Sequence, residues 1–239
     1  MLWLRSNWRL QTDQYNPLKG ITVKQKEIFL QSEGDAWFTR NQQGVAGRKL
    51  PDDDALLREL IDFLPANAEG LKVLEIGCGD GTRLAWIKNN LNADCYGIEP
   101  SAQAVAAANA KGINAQQGTA DSLPFDNQFI DIVIFGCCLY LCDRDDLFHI
   151  ASEANRVLRS PGWLAIMDFF SSTPRSRNYR HQPGVRSYKM DYRTLFTWHP
   201  DYECMTQKVR HYGETSYTDD PDEWTAVSVL RKFKQESGA

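Results

Sequence analysis

Apolar and polar positions along the chain switch between two periods. Between residues 71 and 169, short apolar runs alternate with longer segments whose apolar residues recur every three or four positions. Leu71–Ile76, Cys95–Ile98, Ile113–Gln117, Ile130–Phe135 and Trp163–Phe169 read as strands. The fourth is nearly all apolar, as a central parallel strand covered on both faces should be. Thr82–Leu91, Ser101–Ala110 and Asp143–Leu158 read as helices. The first carries Leu84, Ile87 and Leu91 on one face, and the last turns Leu147, Ile150, Ala151, Ala154 and Leu158 inward. Gly112 marks a helix stop, and Ser160-Pro161-Gly162 a turn into the fifth strand.

Upstream, Asp52, Asp53 and Asp54 suit a helix N-terminus. Leu56, Leu57, Leu60, Ile61 and Leu64 then follow at helical spacing up to Pro65. Residues 25–41 predict a short helix presenting Trp37, Phe38, Arg40 and Asn41, with a turn around Gly44 and Gly47. Residues 1–24 read as an extended arm. Tyr202–Tyr212 and Trp224–Phe233 predict a terminal hairpin across a polar, turn-rich link.

Strands alternating with helices require right-handed crossovers. The expected fold class is therefore α/β: a Rossmann-like, doubly wound, mostly parallel sheet with a C-terminal antiparallel hairpin. Residues 1–50 are expected to form an arm and lid, and 51–239 one domain with an insert over 171–200. Ligands of such sheets bind beyond the carboxyl ends of the strands.

The 239 residues suit one domain, and 42% hydrophobic with 24% charged residues suits a buried core. A net charge of -4 argues against a basic whole-protein field for nucleic acid. No apolar run approaches the roughly 20 residues that span a bilayer. The opening Met1-Leu2-Trp3-Leu4-Arg5 is too short for a secretory signal. A cytoplasmic protein without membrane contact is expected. Its six cysteines form no CxxC pair, and the vicinal Cys137-Cys138 reads as reduced thiols beside a pocket. No cluster stands at metal-ligand spacing, so no metal is expected.

The chemistry concentrates in Glu75-Ile76-Gly77-Cys78-Gly79-Asp80-Gly81, where a buried strand enters a glycine-rich loop and then a helix. Glycines at 77, 79 and 81 followed by Thr82 do not meet the dinucleotide fingerprint, and no Walker loop follows. Asp80 would repel a pyrophosphate but suits a cationic or hydroxyl-bearing ligand. Glu99, ending the second strand, can accept both hydroxyls of a ribose.

This stretch resembles motif I of the class I S-adenosylmethionine-dependent methyltransferases, particularly their type 11 small-molecule group, over roughly residues 50–170. The resemblance implies S-adenosyl-L-methionine as cofactor. Glu75, Gly77, Cys78, Gly79, Asp80, Glu99 and Pro100 would form its cradle. Gly118-Thr119-Ala120-Asp121-Ser122-Leu123-Pro124-Phe125 is similar to the adenine-side segment. Where many members have Asp, this chain has Thr119, so either Thr119 or Asp121 would meet the adenine amino group, with the Ala120 N–H on a ring nitrogen. Backbone carbonyls of Phe135 or Gly136 would bind the ligand's ammonium. Glu33–Asn41 looks like a lid segment, with Phe38 over the cofactor and Arg40 or Asn41 on its carboxylate.

For methyl transfer the expected catalytic residues are Tyr140, as base or positioning group, and then Asp168. His149 reads as a solvated surface residue. The basic, aromatic-rich insert suggests a small anionic acceptor, a metabolite or activated sugar, bound by Tyr140, Arg180, Arg186 and Tyr188. An RNA or protein methyltransferase, or a cofactor-binding module without catalysis, is the alternative. The chain is expected to act as a monomer or homodimer.

Overall fold

A computed structural model describes residues 23–46, 48–65, 68–213 and 216–233. The arm expected over 1–24 lies outside the described residues up to position 22, as does Gly47.

Among the described residues, seven strands form one sheet in the order β3-β2-β1-β4-β5-β9-β8. β1 (Lys72–Ile76), β2 (Asp94–Glu99), β3 (Asn114–Gln117), β4 (Ile130–Gly136) and β5 (Leu158–Phe169) run parallel. The order reverses at β1, so the carboxyl ends of β1, β2 and β4 border one crevice. The C-terminal hairpin is present. β9 (Trp224–Lys232) inserts antiparallel between β5 and β8 (Tyr202–His211).

Apolar side chains fill both faces of the sheet. On one face Val73, Ile132 and Ile134 meet Leu56, Leu57 and Leu60 of α3 (Ala55–Ile61) and Leu84 and Ile87 of α4 (Thr82–Leu91). On the other, Leu74, Val133 and Phe135 meet Ile150, Ala154 and Val157 of α6 (Leu147–Val157). α5 (Ala102–Ala110) follows β2, capped by Ser101, whose hydroxyl oxygen accepts the Ala104 N–H.

Several expectations are corrected. α3 stops at Ile61, with Phe63 and Leu64 in a hydrogen-bonded turn rather than a further helical turn. The helix expected over 143–158 begins with a 3-10 turn, Arg144–Asp146. Ser160-Pro161-Gly162 is not a turn but part of β5. The extra residues are absorbed by a register shift against β4, and Gly162 pairs with Lys232 of β9.

The N-terminal helix is longer than expected. α1 (Gln25–Ile28) continues through a π-helical turn, Phe29–Glu33, into α2 (Gly34–Ala46), so Gly44 is helical. A glycine costs a helix interior only about 1 kcal/mol, and tertiary anchors at the start of α2 offset it. Asp35 accepts the Ser101 hydroxyl at 2.6 Å and the Gln103 N–H at 3.1 Å. The insert forms a small hairpin, β6 (Arg175–Asn178) with β7 (Arg186–Lys189), and a helical turn, α7 (Thr194–Thr197).

Candidate active site

β1 ends at Ile76 and the chain turns through Gly77–Gly81 into α4. Gly77 has φ 74°, and a Cβ there would stand 2.6 Å from the Cys138 Cβ, so only glycine fits. The Gly77 N–H donates to the Ile98 carbonyl at 2.8 Å, which ties the loop to the end of β2. There the Glu99 carboxylate accepts the Gly79 N–H at one oxygen and the Ser101 N–H at the other, each at 3.0 Å. Each oxygen keeps a second lone pair. Burial pushes the Glu99 pKa upward against these two donors.

Glu75 is buried on the same floor. Its Oε1 pairs with Arg83, which also binds Asp54, the cap of α3, at 2.9 Å. Among the described residues no hydrogen-bond partner reaches Glu75 Oε2. Burial raises the Glu75 pKa, because the one guanidinium beside it is shared with Asp54. Gly136 ends β4 against this pair.

These residues open on one cleft of about 2010 Å³. Its walls hold Glu75, Gly77, Cys78, Gly79, Asp80, Glu99, Pro100, Thr119, Ala120, Asp121 and Gly136, together with Phe38, Arg40, Tyr140 and Arg180. Asp80 is tied to Lys111 and to the Thr82 N–H, which hold its pKa low. The Thr119 hydroxyl donates to Asp121 at 2.7 Å, so the two form one polar unit.

The N-terminal helix forms the roof. Lys24 and Lys26 pair with Asp146, and Lys26 also pairs with Asp121. The Gln25 amide donates to the Leu141 carbonyl at 2.8 Å. Phe38 is buried at the cleft wall. Arg40 pairs with the buried Glu33 and reaches the Tyr179 hydroxyl at 3.3 Å. Sequence reasoning missed Lys26, which carries no motif and gains its place only from packing.

Four other expected residues lie outside the cleft wall. Phe135 is a fully buried core ring against Phe196. Asp168 is buried, and its carboxylate accepts the N–H groups of Leu139, Tyr140 and Phe169. Arg186 bonds Asn178 and Ser176 within its own hairpin. Tyr188 stacks under the Arg144 guanidinium at 4.0 Å. Arg144, also missed, donates to the Leu139 and Cys142 carbonyls and so fixes the turn that carries Tyr140. His149 is exposed, as expected. All six cysteines are free; Cys78, Cys137, Cys138 and Cys142 line the cleft, and burial raises their pKa values.

Residues 74–166 match the family model described as a methyltransferase domain. The chain belongs to the class I S-adenosylmethionine-dependent methyltransferases. The matched span of the methyltransferase domain contains the glycine loop, Glu99 and the Thr119–Asp121 unit. A fatty-acid O-methyltransferase of Mycolicibacterium smegmatis is 31% identical over 132 residues, 51% of this chain and 47% of that protein. An uncharacterised methyltransferase of Bacillus subtilis is 28% identical over 143 residues, 56% of this chain and 54% of that protein. The chain thus spans about half the length of the curated relatives it matches. Among solved structures, a 1,6-didemethyltoxoflavin-N1-methyltransferase of Burkholderia thailandensis superposes with a TM-score of 0.64 at 14% identity, covering 91% of this chain and 94% of its own. An S-adenosylmethionine-dependent methyltransferase of Mesorhizobium loti gives 0.57 at 16%, covering 76% and 99%. These two similarities concern the fold. Among the described residues, no helix is long and apolar enough to cross a membrane.

Proposed function

We propose that the protein is an enzyme that transfers a methyl group from S-adenosylmethionine to a small anionic molecule bound in the same cleft. The observation that carries this reading is the pairing of two buried carboxylates on the cleft floor. Glu99 is fixed by two backbone N–H groups yet keeps one lone pair per oxygen, which suits a vicinal diol. Glu75 Oε2 has no partner, which suits an ammonium. A ribose and an amino acid on one ligand would satisfy both.

Bound there, the cofactor supplies an electrophilic methyl group on a sulfonium. The residues of the chain do the rest. Phe38 covers the cleft and excludes water. Thr119, Asp121 and the Ala120 N–H offer donors and acceptors for the adenine. Burial holds the Tyr140 phenol far above its ordinary pKa, so Tyr140 stays neutral and donates a hydrogen bond that aligns the acceptor. Asp168 acts through Tyr140, as a positioning residue.

A small acceptor is supported by the roof helix, which is anchored at both ends over the cleft. An anionic one is supported by Arg40 and Arg180 on its wall. The fatty-acid substrate named for the M. smegmatis relative is itself a carboxylate. Free thiols fit a reducing, cytoplasmic compartment.

Calorimetric titration with S-adenosylmethionine, S-adenosylhomocysteine and NAD tests the cofactor. The first two should bind, NAD should not, and Gly79→Arg should abolish binding. NAD binding alone would overturn the reading. For the acceptor, Arg180→Ala should raise KM about tenfold, while Arg186→Ala, on the far hairpin, leaves it unchanged.

A further inference from the structure

We infer that the acceptor is a planar aromatic carboxylate. The inference rests on the methyltransferase reading above and concerns the part of the cleft away from the glycine loop. That part is walled by rings. Tyr140 meets Phe169 edge-on, with 4.9 Å between centroids. Phe169 stacks on Tyr212 at 5.0 Å and 26°. Tyr140 and Tyr212 line the cleft, while Phe169 is buried and fixes their spacing. Trp37 hydrogen-bonds the Tyr140 side chain and lines the cleft as well.

Three rings braced in this way offer flat, fixed surfaces. They gain most from another ring, which can pack edge-on or offset against them. A long acyl chain instead needs an extended aliphatic channel, and the aliphatic side chains described near Tyr140 are few, chiefly Leu141 and Met167.

The charge on this wall favours an acid group on the ring. Arg40 and Arg180 both line it. The Arg180 Nε donates to His181 Nε2 at 3.0 Å, which makes that nitrogen an acceptor and the imidazole neutral. Burial and the two arginines lower the His181 pKa, consistent with this state. Cationic character therefore comes from guanidinium groups, which match a carboxylate. The acids on the opposite rim are engaged within their own loop. Asp222 pairs with Arg175 at 3.0 Å, and Asp220 accepts the Asp222 N–H at 2.9 Å.

The test is calorimetry on the full chain saturated with S-adenosylhomocysteine. The probes are 4-hydroxybenzoate and nicotinate as flat acids, cyclohexanecarboxylate as a puckered acid of similar size, and decanoate as a chain. The flat acids should bind at least about fivefold more tightly than cyclohexanecarboxylate, the order one aromatic contact supplies. Tyr212→Leu should erase that preference while S-adenosylhomocysteine affinity stays, and Arg180→Ala should weaken every carboxylate. Equal binding of the puckered acid, tighter binding of decanoate, or no carboxylate binding by protein that holds S-adenosylhomocysteine would each overturn the inference. If the flat acids bind but S-adenosylhomocysteine does not, the cofactor reading fails and the aromatic subsite stands. If neither binds, both fail.

Discussion

Asp168 holds Tyr140 by its backbone. One carboxylate oxygen accepts the N–H groups of Leu139 at 2.8 Å and Tyr140 at 3.3 Å, and the other accepts Phe169 N–H at 2.8 Å. Replacing one oxygen by an amide leaves a buried donor facing a donor. Asp168→Asn should therefore cost about 1–3 kcal/mol of stability. It should lower turnover while changing cofactor affinity less than about twofold, because Asp168 does not line the cleft. Chemical denaturation and calorimetry check the two halves of this expectation.

Gly136 leaves the space that the Glu75–Arg83 pair fills. A Cβ there would stand 2.5 Å from Glu75 Oε1 and 2.7 Å from Arg83 Nη1. Gly136→Ala must displace a buried ion pair, for a loss of about 3–5 kcal/mol. The urea midpoint should fall accordingly, and cofactor binding should be lost with it.

Glu99→Gln keeps the shape of the floor and removes its charge. Hydrogen bonds to charged groups are worth about 1.5–3 kcal/mol each. The affinity for S-adenosylhomocysteine should drop at least about tenfold, measured by calorimetry, and unchanged affinity would remove Glu99 from the site.

Lys189 is buried, with its ammonium donating to the Asp222 carbonyl and lying 5.5 Å from the Phe169 ring. Burial lowers its pKa to about 8, with Asp222 and Glu223 opposing and Arg175 and Arg177 assisting. In the unfolded chain the pKa is about 10.4. Between these values the unfolded chain binds the proton more tightly, so the contribution of Lys189 is fullest above about pH 10 and is lost as pH falls to about 8. The stability of wild type relative to Lys189→Met should fall by roughly 1 kcal/mol per pH unit on that descent. Denaturation series at pH 8, 9 and 10 would show it.

Much of this was legible from side-chain pattern. α4 has the bounds that Leu84, Ile87 and Leu91 imply, and the loop before it carries the residues its glycines suggest. Asp168 was misplaced because a strand end was treated as uniformly open to the cleft. Alternation decides the matter: Met167 lines the cleft, so its neighbour Asp168 faces the other side. Arg186 and Tyr188 could not be placed because local composition does not say which way a small hairpin leans. Lys26 and Arg144 act on residues about 95 and 5 positions away, and only the folded packing brings the former to Asp121.

The wide turn Phe29–Glu33 sets the phase of everything after it in the roof helix. Each residue of an α-helix advances the side-chain direction by about 100°, and a π-turn accommodates one residue more than a uniform helix would. Phe38 and Arg40 meet the cleft only with that surplus residue in place. Shortening the turn by Leu30 alone would rewind the helix and swing both side chains about a quarter of the way round its axis, although neither residue had been changed. The roof is thus aimed by a single position in its backbone count.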